Sequence, residues 1–218
     1  MIMERGKIGF VTGLTAEARW LRNAGFMVGI GGGTPLGAER AAEKLVREGA
    51  QGLISFGLAG GIQPGLVPGS ILVPPAVTEA HSIYPADYRL SQFLGGALGK
   101  PIYAGKRVAA SVHDKELIYN RHGPCGIDLE SGAVARVARR HGIPFAVLRA
   151  VADPADFVLP PAALVGLKED GAVNLPAILR SLLRHPRQLP ALLELAGHAK
   201  AARAALLARL KKLPERTF

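Results

Sequence analysis

The sequence predicts an α/β fold: a mixed, largely parallel twisted sheet with helices on both faces and a helical C-terminal extension. Two observations support this prediction. Up to about Val151, short apolar runs typical of buried strands alternate with segments of helical periodicity. Beyond that point prolines interrupt the chain and leucines recur at helical spacing. Open α/β sheets bind ligands at the carboxyl ends of their strands, so we expect functional residues there.

The chain is long enough for one complete hydrophobic core. It has 218 residues, of which 49% are hydrophobic and 20% are charged, and chains of this size commonly form one core. We therefore expect residues 1–218 to form a single domain, in which residues 174–212 are a helical, basic C-terminal segment.

The first elements are predicted from apolar runs and from the residues that interrupt them. They are, in order, a strand at 7–11, a helix at 15–24, an apolar segment at 26–30, a helix at 36–48 and a strand at 52–56 that ends in a glycine-rich loop at 57–61. Thr15 is the expected N-cap of the first helix.

The remaining elements follow in the same way. Strands are predicted at 70–73, 106–110, 126–129 and 144–151, with a helix at 131–141. In the C-terminal third, Pro186 and Pro190 separate a leucine-rich helix that begins near Leu175 from a last helix at 191–212.

The chain is strongly basic, with a net charge of +10 and a pI near 10.2. Such a charge is typical of nucleic-acid-binding proteins. Much of the excess lies in the C-terminal tail, however, and no aromatic-rich RNA-binding strand motif is present, so we expect no nucleic-acid partner. Two interpretations of the last helix stay open: a core-facing helix, and a basic amphipathic face that contacts an anionic membrane surface.

Cysteine usage and hydropathy indicate the compartment. Cys125 is the single cysteine, which excludes an internal disulfide and fits a reducing environment. No basic segment followed by an apolar run lies near residue 1, and no apolar run reaches the roughly 20 residues that a spanning helix needs. We therefore expect neither a signal peptide nor a membrane-spanning helix. We expect a cytoplasmic protein, with peripheral contact to the inner membrane face as an open possibility.

Two carboxylates, Glu130 and Asp153, lie at the ends of otherwise apolar elements. Carboxylates are rarely buried without an ion-pair partner or a functional role, so this pair is a candidate site. The structural alternatives are a first-turn glutamate that favours the helix dipole and a turn aspartate before Pro154.

Three ordered motifs carry a resemblance. They are GLAGGIQP at 57–64 with GSILV at 69–73, DLES at 128–131, and ADPAD at 152–156. Together they resemble the nucleoside phosphorylase and methylthioadenosine nucleosidase superfamily over about residues 7–157. The segments LPPAAL at 159–164 and RHPRQLP at 184–190 are similar to a narrower group, the bacterial hopanoid-associated phosphorylases.

The resemblance implies an activity. In the narrower group it is phosphorolysis of adenosylhopane in hopanoid biosynthesis, releasing adenine and leaving a ribosylated hopane phosphate. The resemblance thus implies a small-molecule adenine riboside, lipid-linked in the narrower group, as partner. It also implies inorganic phosphate as co-substrate, with no other cofactor and no metal. The resemblance also implies a homo-oligomer, for which we expect a homodimer.

Site residues follow from the same resemblance. Asp153 would protonate the departing purine, which requires a carboxyl whose pKa rises toward neutrality. Glu130 would bind the ribose hydroxyls, beside Leu129, where the family usually has methionine. Further ribose and purine contacts are expected from Ala59, Gly60 and Ser111.

The nucleophile has a separate predicted site. Gly31, Gly32, Gly33 and Thr34 lead into a helix, and exposed amides at a helix N-terminus bind anions such as phosphate. Two positions depart from many phosphorylases, because Leu58 stands where a small hydroxyl residue is common and Ser70 replaces an aspartate. Arg40, Thr34 or Ser111 could supply the missing contact to phosphate.

Glu17 leaves open whether phosphate or water is the nucleophile. By resemblance to the nucleosidase branch it matches the glutamate that activates a hydrolytic water, which would make the protein an adenosine-type or methylthioadenosine-type nucleosidase. The alternative for Glu17 is a solvent-facing helix position near Arg19 and Arg22. A third possibility, from another class, is a non-catalytic module that binds purines or nucleic acid.

Overall fold

The computed structural model describes residues 4–97, 99–165, 172 and 174–214. The strands of this part of the chain are β1 (Ile8–Thr12), β2 (Met27–Ile30), β3 (Gly52–Gly61), β4 (Ile71–Leu72), β5 (Ala76–Glu79), β6 (Ser82–Pro85), β7 (Ile102–Ala104), β8 (Gly126–Asp128) and β9 (Phe145–Asp153). Its helices are α1 (Thr15–Asn23), α2 (Pro35–Arg47), α3 (Tyr88–Phe93), α4 (Val112–His122), α5 (Ser131–His141), α6 (Pro161–Leu164), α7 (Leu175–Arg184) and α8 (Leu189–Lys211).

The strands form one mixed sheet in the order β2-β1-β3-β8-β7-β5-β6, with β9 paired to both β3 and β4. The pairs β1–β2, β1–β3, β3–β9, β5–β7 and β7–β8 are parallel, whereas β3–β8, β4–β9 and β5–β6 are antiparallel. The predicted mixed, largely parallel sheet is confirmed.

The sheet carries a hydrophobic core on each face. Alanine-rich sides of α2 and α5 pack on one face, where Leu45 and Val137 are fully buried. Leu21 of α1, Leu90 of α3 and Leu206 of α8 pack on the other. Every residue of β9 is buried, as expected for a strand covered on both faces. Helices therefore cover both faces, as the sequence predicted.

The second half of the last helix packs in the core, which confirms in part the core-facing interpretation of this helix. Ala202, Leu206 and Leu210 of α8 are buried in the core, because the second half of the helix packs against β9. This half faces the core. No helix within the described ranges is both long and apolar enough to cross a membrane.

Three local expectations were wrong. Residues 106–110 form no strand, since Lys106, Arg107 and Val108 are exposed, and β7 pairs with β5 and β8 instead. The glycine-rich stretch 57–61 continues β3 rather than forming a loop. The N-cap of α1 is Leu14, not Thr15.

Candidate active site

A cavity of about 200 Å³ lies where β3, β8 and β9 end. Backbone and apolar side chains form most of its wall, and three carboxylates and one guanidinium interrupt it. The lining residues are Gly33, Leu58, Ala59, Gly60, Val108, Ala109, Ile127, Asp128, Leu129, Glu130, Arg149, Ala152 and Asp153. The candidate residues Asp153, Glu130, Leu129, Ala59, Gly60 and Gly33 are thus brought together.

Arg149, near the middle of β9, is the central cation of this site. Its side chain is 2% exposed, with Nε 2.8 Å from Asp128 Oδ2 and Nη1 3.2 Å from Glu130 Oε2. Nη2 donates a 2.6 Å hydrogen bond to Ser55 Oγ. A buried charge needs such partners to offset its desolvation, so Arg149 and the two carboxylates are held as a unit.

Asp128 connects this unit to the start of α5. Its Oδ1 accepts hydrogen bonds from the amides of Glu130 and Ser131, at 3.2 and 2.9 Å, and the Ser131 hydroxyl donates to Oδ2. These bonds satisfy amides that the first turn of a helix leaves without partners. Asp128 therefore fixes the backbone that carries Glu130 and also fixes Arg149.

Glu130 is 4% exposed and has one free carboxylate oxygen. Oε2 accepts from Arg149, but Oε1 is buried without a hydrogen-bond partner among the described residues. A Cβ at Gly13 would lie 3.2 Å from the carboxylate and one at Gly31 would lie 3.0 Å from Oε1, so both glycines allow close packing. Burial raises the pKa of Glu130 to about 7, although Arg149 opposes this effect.

Glu17 is fully buried, which excludes the solvent-facing interpretation. The Thr12 hydroxyl donates to its Oε2, while Oε1 has no partner within the described part of the chain. A Cβ at Gly57 would lie 2.7 Å from Arg149 Nη1 and 3.2 Å from Glu17 Oε2, so the glycine allows these side chains to converge. Burial raises the pKa of Glu17, and Thr12 and Arg149 partly counter it. Glu17 itself does not line the cavity.

Asp153, the last residue of β9, is paired with Lys115 of α4. Lys115 Nζ lies 2.8 Å from Asp153 Oδ2, and the lysine side chain is 1% exposed. Burial raises the pKa of Asp153, and the nearby ammonium of Lys115 opposes the rise. Sequence reasoning missed Lys115 because it did not predict α4, although Ser111 and Asp114 have the spacing of a capping box.

The predicted phosphate loop lies beside this cavity, but it contributes less than expected. Gly33 lines the cavity, whereas Gly31, Gly32 and Thr34 do not. Gly32 and Gly33 have φ angles of 65° and 71°, which glycine adopts most readily. The Thr34 hydroxyl is the N-cap of α2 and accepts from the Gly37 amide at 3.1 Å, so it is directed to the helix rather than to a ligand.

Ser111 and Arg40 also lie away from the cavity lining. The Ser111 hydroxyl donates to Asp114 Oδ2 at 2.7 Å and accepts from the Asp114 amide at 3.0 Å. It therefore caps α4. Arg40 is exposed on α2. The ligand contacts expected of Ser111 and Arg40 stay predictions, and neither residue lines this cavity.

The comparisons with known proteins agree with this geometry. A family model for the phosphorylase superfamily matches residues 10–184. The chain belongs to that superfamily. The resemblance of the three motifs is thereby confirmed at superfamily level, and the narrower hopanoid-associated likeness stays a prediction. No curated protein sequence matches this superfamily member.

Solved structures share the fold of this superfamily member at low sequence identity. The 5'-methylthioadenosine/S-adenosylhomocysteine nucleosidase of Neisseria meningitidis, bound to methylthio-immucillin-A, has a TM-score of 0.71 at 16% identity, over 96% of this chain and 99% of its own. Futalosine hydrolase of Helicobacter pylori has a TM-score of 0.70 at 15% identity, over 96% and 97%. The adenine complex of the Colwellia psychrerythraea nucleosidase has a TM-score of 0.68 at 15% identity, over 100% of both chains.

The described ranges contain no group of three or more histidine, cysteine, aspartate or glutamate side chains arranged to hold a metal ion. The charged side chains that line the cavity are Asp128, Glu130, Asp153 and Arg149.

Proposed function

We propose that this protein cleaves the N-glycosidic bond of an adenine riboside. The observation that carries the proposal is the convergence of Asp153, Glu130 and Arg149 on one small cavity at the strand ends. The fold neighbours add support, because they include nucleosidases that were solved with methylthio-immucillin-A and with adenine.

Asp153 is the proposed acid for the leaving base. When the bond breaks, negative charge develops on the purine, and a proton or a hydrogen bond at N7 stabilises that charge. A buried carboxyl with a raised pKa retains its proton to a higher pH than an exposed aspartate. Asp153 meets this requirement and lines the cavity.

Glu130 is the proposed ribose ligand. Its free Oε1 has capacity for a hydrogen bond that the described protein residues do not use, and ribose hydroxyls are donors. Burying a polar group without a partner costs about 1–3 kcal/mol, so a hydroxyl at this oxygen is favoured. The same carboxylate stabilises the positive charge that develops on the ribose ring.

Water is the proposed nucleophile, with Glu17 as its base. Three carboxylates line the cavity, and its one lining cation among the described residues, Arg149, is already paired with two of them. Arg149 therefore has little positive charge left for a phosphate dianion, whereas a neutral water needs none. Glu17 lies beside Arg149 without lining the cavity, and its Oε1 has no partner among the described residues. It would take the proton of a water that reaches this oxygen.

Phosphorolysis is the second candidate, and one observation favours it. The glycine loop before α2 presents the amides of Gly32 and Gly33, which donate to no described residue. Free amides at the N-terminus of a helix attract anions. Phosphate bound there would attack the same sugar carbon, with Asp153 and Glu130 in unchanged roles.

The substrate of the proposal is an adenine riboside with an apolar 5' substituent, such as adenosylhopane. Apolar side chains in the cavity wall support this choice. Leu58, Val108, Ile127 and Leu129 all face it, and Val108 is also 45% exposed at the surface. A lipid-linked substituent could therefore leave the cavity along apolar surface.

Peripheral membrane contact belongs to the same proposal, and we assign it to α7 rather than to the end of α8. Leu175, Leu179 and Leu183 of α7 are 62%, 59% and 85% exposed, and Arg180 and Arg184 are exposed beside them. No acidic residue occurs among the described residues from 174 to 193. Exposed leucines flanked by arginines fit an anionic lipid surface.

Adenine release from adenosylhopane and methylthioadenosine tests the proposed function. We expect Asp153→Asn to lower kcat by about 100-fold or more with a small change in KM, because general acids act in the transition state. Glu17→Gln should lower kcat comparably if water attacks. Normal turnover by Asp153→Asn would contradict the acid assignment. Adenine binding without release by the wild-type protein would instead indicate a non-catalytic purine-binding module.

A further inference from the structure

Lys115 is a buried cation that lies outside the lining of the catalytic cavity. It lies on α4, which comes from a different part of the chain than β9, and its side chain is 1% exposed. Lysine is almost never fully buried unless it is paired. Its ion pair with Asp153 offsets the cost of burying its charge.

The three ammonium protons of Lys115 each have an acceptor. Nζ lies 2.8 Å from Asp153 Oδ2 and donates to the carbonyl oxygens of Pro154 at 2.6 Å and Phe157 at 2.9 Å. Lysine has three donors and no acceptor, so this arrangement saturates it. Lys115 thereby ties the carboxyl of Asp153 to the turn that follows β9.

Asp153 has no other side-chain hydrogen-bond partner among the described residues. Its neighbour Ala152 carries no hydroxyl that could hold it. His198 of α8 is the other titratable group that influences the pKa of Asp153. Glu116 and Asp156 line a neighbouring pocket together with Lys115 and do not influence this pKa. The orientation and charge of Asp153 thus depend chiefly on Lys115.

We propose that Lys115 is a positioning residue that orients Asp153 and strengthens it as an acid. The bond between ribose and purine breaks with its electron pair moving to the base, N7 takes the proton of Asp153, and Asp153 is left as a carboxylate. Lys115 interacts more strongly with that carboxylate than with the neutral acid. It therefore stabilises the state that forms as the proton leaves.

This inference rests on the proposed function, since it gives Asp153 the role of acid. Lys115→Gln removes the charge and keeps a donor, and Lys115→Met removes both. We expect each to lower kcat by about tenfold or more with little change in KM. The alkaline limb of the pH profile of kcat should shift to higher pH, because Asp153 holds its proton more tightly without the neighbouring ammonium. Lys7→Gln, which removes an exposed lysine, is the matched control.

A double-mutant cycle separates positioning from a general structural role. If Lys115 acts through Asp153, Lys115→Gln should cause no further loss of kcat in an Asp153→Asn background. Independent effects that multiply would overturn the proposal. So would an unshifted pH profile in a folded Lys115→Gln protein.

A spectroscopic readout keeps the inference testable if the protein releases no adenine. The Asp153 carboxyl can be followed by 13C NMR and assigned from the missing signal in Asp153→Asn. We expect its titration to move to higher pH in Lys115→Gln but not in Lys7→Gln. Equal titration in all three proteins would refute the role of Lys115, whereas a shift without any adenine release would refute only the proposed function.

Discussion

At the scale of residues, the site is a set of buried charges that depend on one another. Arg149 pairs with Asp128 and Glu130, while Lys115 pairs with Asp153. Removing one partner of a buried ion pair typically costs 3–5 kcal/mol because the other charge stays buried. These pairs therefore hold the carboxylates of the cavity in place and also shift their pKa values.

Glu130 makes the stability of the protein depend on pH. Its pKa rises from 4.5 to about 7 on folding, so the folded state binds a proton that the unfolded state has lost. Its contribution to the free energy of unfolding is present below about pH 4.5 and is lost as pH rises through about 7.

The variant Glu130→Gln tests this effect. Between pH 5 and 8 we expect the free energy of unfolding of the wild type to fall relative to that of Glu130→Gln by on the order of 1–3 kcal/mol. Denaturant titrations at several pH values measure the difference. Glu4→Gln, at an exposed position, is the control, and parallel pH curves for wild type and Glu130→Gln would contradict the prediction.

At the scale of elements, the loop at 31–33 depends on close contact with α2. A Cβ at Gly37 would lie 1.9 Å from the carbonyl oxygen of Gly31, a distance that no relaxation of a side chain can relieve. The glycine therefore allows the first turn of α2 to pack directly on the loop. The loop in turn packs against Glu130 through Gly31.

Gly37→Ala should displace the loop and lower kcat/KM for adenine release by about 100-fold, since small displacements of a site cost about that factor. The matched control is Gly197→Ala in α8, where a new Cβ meets no atom within 4 Å. That variant should keep full activity and gain about 0.5–1 kcal/mol of stability from helix propensity. Full activity in Gly37→Ala would show that the loop does not matter.

The helix α7 carries a separate prediction. Replacing Arg180 and Arg184 with glutamate should lower co-sedimentation with anionic vesicles several-fold, because each basic residue near such a surface contributes about 1 kcal/mol. The control is Lys211→Gln with Lys212→Gln, at the end of α8. Equal loss of binding in both variants, or no loss in either, would contradict the assignment to α7. Activity on methylthioadenosine should stay unchanged.

At the scale of the whole molecule, the alternation of elements and the position of the site were predictable. The apolar runs around Phe10, Ile54 and Leu148 mark central strands whatever their neighbours are, because a strand covered on both faces has little other composition. Because such sheets bind ligands at strand ends, the sequence also predicts a candidate site with Glu130 and Asp153, and both line the cavity at this edge of the sheet.

The remaining parts depend on tertiary contacts that local pattern does not contain. The partners of Arg149, Glu130 and Asp128, lie 19 or more residues away along the chain, and no local sequence pattern shows these pairings. The strand β7 has three residues, which is too short for a periodic signal. The hydroxyls of Thr34 and Ser111 cap α2 and α4, a role that the sequence alone does not distinguish from a ligand contact. The homodimer stays a prediction.

The identity of the sugar product tests the central claim most directly. The wild-type protein is incubated with an adenine riboside and inorganic phosphate, and the products are separated and weighed by mass spectrometry. We predict adenine and a free sugar in equal amounts, at a rate that does not depend on phosphate. A sugar 1-phosphate formed in step with adenine would contradict attack by water, and the absence of any adenine would contradict N-glycosidic cleavage itself.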